Sequence, residues 1–408
     1  MVLIRRIALL ALLAPGFAGT AAAQDLPPAA PLLEVPESLF LPTSLTIGGA
    51  PVQIGGAIRF EYDSNIYAQA TNPVDDEKLL FRPYVAVLPT PGRVQFSGIA
   101  EGDIRKFVGH RSEDAAGGNV HTTIAWMPSS TDTVALVSGW QHVIEDRGEP
   151  EGLTTRTTGP RQLDIIDADL SYAKQGPRLG FSLRGTAAAS RYTAAIDRNR
   201  NLNTFSLVGR TSYRLGPVVN TFVEGFVTNR DFVVAPSGEE AQGDAHTYGG
   251  RLGISLDPGG ALHGEVGAGI YRFRPDAPQR AGRNGLSVQA ALVFSPWARA
   301  ALTLDGFVGD VATFQTGAQS RQDQRIRIGV QQEVLHNFRW QTSLVYRRSR
   351  YYGTSLTDTI YGAIFEADYA INRRTEVGLL VRYATRDSTA PLSEYSRLRI
   401  GIDLKGHY

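Results

Sequence analysis

Between Val52 and Tyr408 the chain repeats one pattern: a run of about ten residues in which apolar and polar side chains alternate, then a turn, then another such run. A period of two sends successive side chains to opposite faces of a strand. In Ala57-Ile58-Arg59-Phe60-Glu61-Tyr62-Asp63 the even positions are apolar or aromatic, and the odd ones from Arg59 onward are charged. No helical i, i+3, i+4 pattern is sustained over this span. The alternation predicts strands over 52–63, 78–88, 93–106, 119–127, 132–143, 161–174, 179–189, 203–214, 218–230, 245–256, 262–273, 286–295, 299–308, 322–334, 338–348, 359–369, 375–386 and 395–408. That is about eighteen strands, or about sixteen if the weakest runs merge.

The connections separate a membrane barrel from a soluble sandwich. Short turns, among them Pro89-Thr90-Pro91-Gly92, Leu215-Gly216-Pro217, Asp257-Pro258-Gly259-Gly260, Ser295-Pro296-Trp297 and Ile371-Asn372-Arg373, alternate with longer polar loops. The loops lie near 64–77, 107–118, 144–160, 190–202, 231–244, 274–284, 309–321, 349–358 and 387–394. Outer-membrane barrels keep short periplasmic turns, longer external loops and an even strand number. The expected fold is therefore all-β: a transmembrane antiparallel up-and-down β-barrel over 51–408, with both ends periplasmic, in the outer membrane of a Gram-negative bacterium. The last run carries Leu398, Ile400, Ile402, Leu404 and Tyr408 on one parity. It resembles the strand signal read by the barrel-assembly machinery. Tyr62, Trp126, Trp140, Tyr172, Tyr213, Tyr346, Tyr369 and Tyr383 near strand ends suit the headgroup level of lipid, where an apolar ring with a polar tip is at home.

With the apolar parity toward lipid, the other parity faces a wet lumen. Its acidic candidates are Glu61, Asp63, Glu101, Asp103, Asp167, Asp169, Glu224, Glu366 and Asp368. Its basic candidates are Arg59, Arg105, Arg184, Arg210, Arg251, Arg325, Arg327, Arg382, Arg397 and Arg399. The signs balance, whereas strong ion selection calls for an excess of one sign. A guanidinium can hold the carboxylate of an acidic sugar, or pair with a neighbouring acid and stiffen the wall; both uses stay open. Barrels of this size leave an aqueous channel. The loop 144–160, the longest, is the candidate for an inward constriction through Glu145, Asp146, Arg147, Glu149, Glu151 and Arg156. Most aromatic residues take the lipid parity, so no aromatic track for sugars is expected.

Composition narrows the function classes. The 41 basic and 40 acidic residues leave a net charge of +1, without the basic excess of a nucleic-acid binder. No cysteine is present, which excludes disulfide frameworks, thiolate metal sites and thiol nucleophiles. Mean hydropathy is −0.15, and after the N-terminus there is no apolar run of the ~20 residues that a membrane helix needs. Residues 1–24 read as a signal peptide, with Arg5 and Arg6 before an apolar stretch and Ala21-Ala22-Ala23 before Gln24. Residues 25–50 carry Pro27, Pro28, Pro31, Pro36 and Pro42 and read as a periplasmic linker or strap. Seven histidines make no HExxH or comparable metal spacing. His110, Ser112, Glu113 and Asp114 are neighbours in a loop, with nothing to fix a base against a nucleophile. Neither an enzyme nor a cofactor is expected.

The segment Arg59-Phe60-Glu61-Tyr62-Asp63-Ser64-Asn65-Ile66-Tyr67 resembles the opening of the family called putative β-barrel porin 2, in which an aromatic-rich strand runs into a Tyr-Asp-x-Asn-Ile-Tyr-like stretch. The resemblance extends more loosely along the mature chain: a Pro-rich lead, many strands, and short turns with Pro or Gly. It implies an outer-membrane channel that forms the outer component of exopolysaccharide export, working with a periplasmic polysaccharide-export protein. Two other readings stay open: a general diffusion porin for small solutes, and a structural or adhesive surface barrel. The expected partners are outer-membrane lipid, the barrel-assembly machinery and a polysaccharide or small-solute cargo, with no nucleic acid.

Overall fold

The structure, a computed structural model, describes residues 44–89, 92–152, 158–233, 243–257, 260–315, 317–390 and 392–408. The expected signal peptide and residues 25–43 of the strap lie outside them. The strands are β1 (Leu45–Ile47), β2 (Ala50–Asp63), β3 (Asp76–Val87), β4 (Val94–Phe107), β5 (Ala115–Trp126), β6 (Asp132–Ile144), β7 (Gln162–Gln175), β8 (Leu179–Tyr192), β9 (Leu202–Arg214) and β10 (Val219–Phe232). They continue with β11 (Ala245–Leu256), β12 (Leu262–Pro275), β13 (Arg283–Trp297), β14 (Ala300–Val311), β15 (Ser320–Leu335), β16 (Phe338–Tyr352), β17 (Thr357–Asn372), β18 (Thr375–Ser388) and β19 (Tyr395–His407). From β2 onward each strand pairs antiparallel with its sequence neighbour, and β19 pairs with β2, which closes an 18-strand barrel. Closure leaves no free sheet edge in the lipid. β1 folds back on the start of β2 through Gly48 and Gly49, whose φ values of 59° and 85° lie in the left-handed region. The last residues of the proline-rich segment thus form a short hairpin strand.

The eighteen expected strands are all present, and most run further toward the loop end than their alternation suggested. β5 begins at Ala115, β13 begins at Arg283, and β16 extends to Tyr352. Above the lipid both faces of a strand meet water or other protein, so the apolar period fades while the hydrogen-bond ladder continues. On β15, Gln322 and Gln324 take the parity that Ile326 and Ile328 hold lower down. Two loops tighten into 3-10 turns, Arg111–Glu113 and Ala195–Arg200. Ser295-Pro296-Trp297 is not a turn: β13 continues to Trp297, and its pairing with β14 becomes irregular between Phe294 and Trp297, around a proline that has no N–H for the ladder.

The outward face is apolar. Ile58 and Phe60 are 47% and 53% exposed, and Ile400 and Ile402 are 40% and 60% exposed. Trp126, Trp140, Tyr213, Tyr369 and Tyr383 are outward and exposed as well. The largest fully buried side chains, Tyr351, Leu163, Leu202, Asp63, Asp323, Asp358 and Pro150, gather at the loop end of the barrel interior. The packed core therefore sits at the loop end of the barrel.

The cysteine-free sequence makes topology testable by labelling. Ile196, in the loop between β8 and β9, is 88% exposed, and Gly216, in the turn between β9 and β10, has open space around its Cα. Ile196→Cys should react with a membrane-impermeant maleimide on intact cells, and Gly216→Cys only once the outer membrane is breached. The opposite labelling would invert the barrel.

Candidate functional site

The expected lumen residues all take the parity opposite to the exposed apolar side chains. Strand register explains their balanced signs, because opposite charges directly across a ladder attract. Arg59 faces Asp403 and donates through Nε and Nη2 at 2.7 Å each. Glu224 faces Arg210 on one side and Arg251 on the other and accepts from both at 2.9 Å, while Arg210 also reaches Glu265 at 2.7 Å. Asp169 accepts from Arg184 at 2.6 Å, and Asp103 from Arg105 at 2.7 Å. Asp368 lies between Arg339, at 3.3 Å, and Lys405. Glu61 meets Lys78 at 2.8 Å. Arg327 stands opposite Asp305 in register, and Arg382 stands opposite Arg399. Glu101 accepts from Asn119, Glu366 from Gln341, and Asp167 weakly from Gln141. The guanidinium of Arg325 lies 4.4 Å from the centre of the Phe307 ring.

At the outer mouth the loop between β6 and β7 turns into the barrel. Asp146 Oδ1 accepts the N–H of Gly148 at 2.8 Å, and the N–H groups of Glu149 and Gly152 bond back to the carbonyls of Asp146 and Glu149. A Cβ on Gly148 would come within 2.7 Å of the Tyr395 hydroxyl oxygen, so glycine permits the contact in which that hydroxyl donates to the Gly148 carbonyl at 2.8 Å. Eighteen strands place β6 and β7 opposite β15 and β16, and the loop reaches that far wall. Asp146 accepts from Arg397 at 2.7 Å and from Arg399 at 2.9 Å. Glu149 accepts from Arg347 at 2.9 Å. Glu151 accepts from Arg321 at 2.9 Å, from the Thr313 hydroxyl at 2.6 Å and from the Phe314 N–H at 2.7 Å. Arg147 holds Glu113 through two bonds of 2.6 and 2.8 Å, and both partners are buried. Burial alone would raise the carboxyl pKa of Asp146, but Arg397 and Arg399 hold it well below the usual carboxylate range. Glu145 goes the other way: burial raises its carboxyl against the pull of Arg200 and Arg161. The loop folds inward as expected, with Asp146, Glu149 and Glu151 on wall arginines, Arg147 on Glu113 and Glu145 beside Arg161; Arg156 lies outside the described residues.

Some interior features escape a reading by parity. Phe222, Tyr271 and Phe273 are buried on the lumen side, and Phe226 packs beside Tyr271 and Phe273. Phe222 stands opposite Gly253, Phe226 opposite Gly249, and Tyr271 opposite Gly285. Each ring lies along the wall where the glycine has no side chain; a Cβ on Gly253 would sit 2.2 Å from the Phe222 ring. Arg210, Arg251 and Arg283 cover these rings at 3.9, 4.9 and 5.3 Å. The signal was the glycines of β11 and β13 facing the aromatics of β10 and β12, readable only once the register is known.

Among the described residues, no group of three or more His, Asp or Glu side chains is placed to hold a metal ion. The site offers a dense set of hydrogen-bond donors and acceptors. No curated protein matches the sequence. Among solved structures, the chain is similar to the outer membrane protein OpdK of Pseudomonas aeruginosa, with 11% identity over 88% of this chain and 99% of that one and a TM-score of 0.45. It is also similar to OccK2 (OpdF) of the same organism, with 12% identity over 87% and 98% and a TM-score of 0.48. The FrpB iron transporter of Neisseria meningitidis shares 9% identity over 86% and 81%, with a TM-score of 0.41. The family described as putative β-barrel porin 2 matches residues 52–408. That match takes in nearly the whole closed barrel, places it in the outer membrane of a Gram-negative bacterium and points to a channel rather than an enzyme: the chain belongs to the putative β-barrel porin 2 family.

Proposed function

We propose that the barrel is the outer-membrane conduit of an exopolysaccharide export machine, closed at its outer mouth by the β6–β7 loop when idle. The observation that carries this reading is the loop itself, which crosses the lumen and grips the far wall with charge-assisted bonds. A diffusion porin for small solutes works by standing open. An export conduit has to stay sealed until a polymer arrives from the periplasm. Below the loop, paired arginines and carboxylates offer many hydrogen bonds without one dominant charge, contacts that a moving chain can make and release. In this reading the short turns, β1 and the proline-rich segment 25–50 lie on the side where a periplasmic polysaccharide-export protein would dock.

Deleting the gene should abolish surface polysaccharide while leaving the uptake of small nutrients unchanged. Polysaccharide that persists while uptake of a nutrient falls would favour the diffusion porin instead.

A further inference from the structure

We propose that the β6–β7 loop is seated as a stand-in for the cargo: its carboxylates occupy a receptor along the wall from β15 to β19 whose ligand in transit is an acidic sugar polymer, one that carries carboxylates along its backbone as uronic-acid chains do. The inference deepens the export reading and rests on it for the direction of travel.

The receptor is built by the wall. Arg397 gives Nε and Nη2 to Asp63 at 2.9 and 2.6 Å, and its remaining edge, Nη1, goes to Asp146. Arg347 gives Nη2 to Asp323 at 2.9 Å and Nη1 to Glu149. Arg321 lies with Nε 3.0 Å from Asp323 and gives Nη1 to Glu151. Three guanidinia thus divide themselves in the same way, one edge to a wall aspartate and one to the loop. Asp63 and Asp323 are fully buried, and Ser349 fixes Asp323 further at 2.9 Å. Asp63 and Asp323 hold Arg397 and Arg347 by hydrogen bonds in which the loop takes no part, and Asp323 lies beside Arg321 as an ion pair.

The loop meets them as a linear chain would. Asp146, Glu149 and Glu151 come one after another along the backbone and reach β19, β16 and β15 in turn. Withdrawing the loop with nothing in its place breaks its charge-assisted bonds to the three guanidinia at once. An acidic polymer replaces one carboxylate with another and avoids that loss. A neutral polymer offers only hydroxyls, which bind a guanidinium more weakly. The exchange therefore favours acidic cargo.

The test uses the purified full-length protein with an oligogalacturonate of about ten units, a dextran oligomer of equal length and monomeric galacturonate as probes. Arg147 is buried in the seated loop, so trypsin cleavage after it reports release. Oligogalacturonate should speed that cleavage several-fold in the native protein, and dextran should not. The triple variant Asp146→Asn, Glu149→Gln, Glu151→Gln, which lacks the internal competitor, should bind oligogalacturonate at least tenfold more tightly than the native chain, with dextran binding unchanged. Cleavage that ignores oligogalacturonate, or that dextran speeds equally, overturns the proposal. An equal effect of monomeric galacturonate overturns its polymeric part. The gene-deletion result stands apart: polysaccharide retained in the deletion strain alongside acid-specific loop release would sink export and leave an acid-selective channel.

Discussion

Excising residues 145–160 and joining Ile144 to Arg161 through a short glycine-serine link should raise single-channel conductance in planar bilayers several-fold. The loop spans the lumen from β6 and β7 to β15 and β16, and it fills the mouth with fully buried side chains such as Pro150. Current through a pore is limited by its narrow cross-sections, and this segment crosses the lumen. The barrel wall should survive, because the interstrand ladders do not pass through the loop and Arg347, Arg321 and Arg397 each keep a wall aspartate. Glu113 is the exception. It loses both bonds from Arg147, so Glu113→Gln belongs in the same chain. Conductance equal to that of the native protein would show that the loop does not set the constriction.

Ile402→Arg should block assembly, and Arg399→Ala should leave it intact. Ile402 is outward at mid-strand, between Phe60 and Leu379 in the adjoining ladders. A guanidinium at such a lipid-facing midplane position costs about 2–4 kcal/mol, which is roughly one and a half to three powers of ten in the folding equilibrium. Arg399 faces inward and holds Asp146, so its loss loosens the loop and leaves the lipid face untouched. The measurement is the heat-modifiable gel mobility of the folded barrel in membranes. Equal tolerance of both substitutions would mean that the two faces of β19 have been exchanged.

Most of the barrel was legible because lipid imposes a strict rule. Arg59-Phe60-Glu61-Tyr62-Asp63 has to alternate where one face meets hydrocarbon, and the strands between short turns obeyed it. The rule weakens where lipid ends. Leu163 and Ile165 are apolar on the inward parity because they pack at the mouth with Tyr192, a contact that no local pattern encodes. Pro296 looked like a turn because proline usually interrupts pairing, yet the ladder absorbs it as an irregularity. The β6–β7 loop stood out by its length and its charges. Its partners did not, since which arginines face Glu149 and Glu151 depends on the circumference of the closed barrel.

The pairing of β2 with β19 is the one junction in the barrel made between strands remote in sequence. Its ladder runs only from Arg399 opposite Asp63 to His407 opposite Gly55, and beyond it lie the paired bonds between Ile54 and Tyr408 and the bond from Ser64 N–H to Leu398. Arg397 of β19 grips Asp63 of β2 across this seam, and Asp146 grips Arg397 and Arg399 from inside. The loop is therefore also a latch on the weld. Pulled apart mechanically or held in harsh detergent, the barrel should unzip first at β2 and β19, and it should do so faster when the latch is missing.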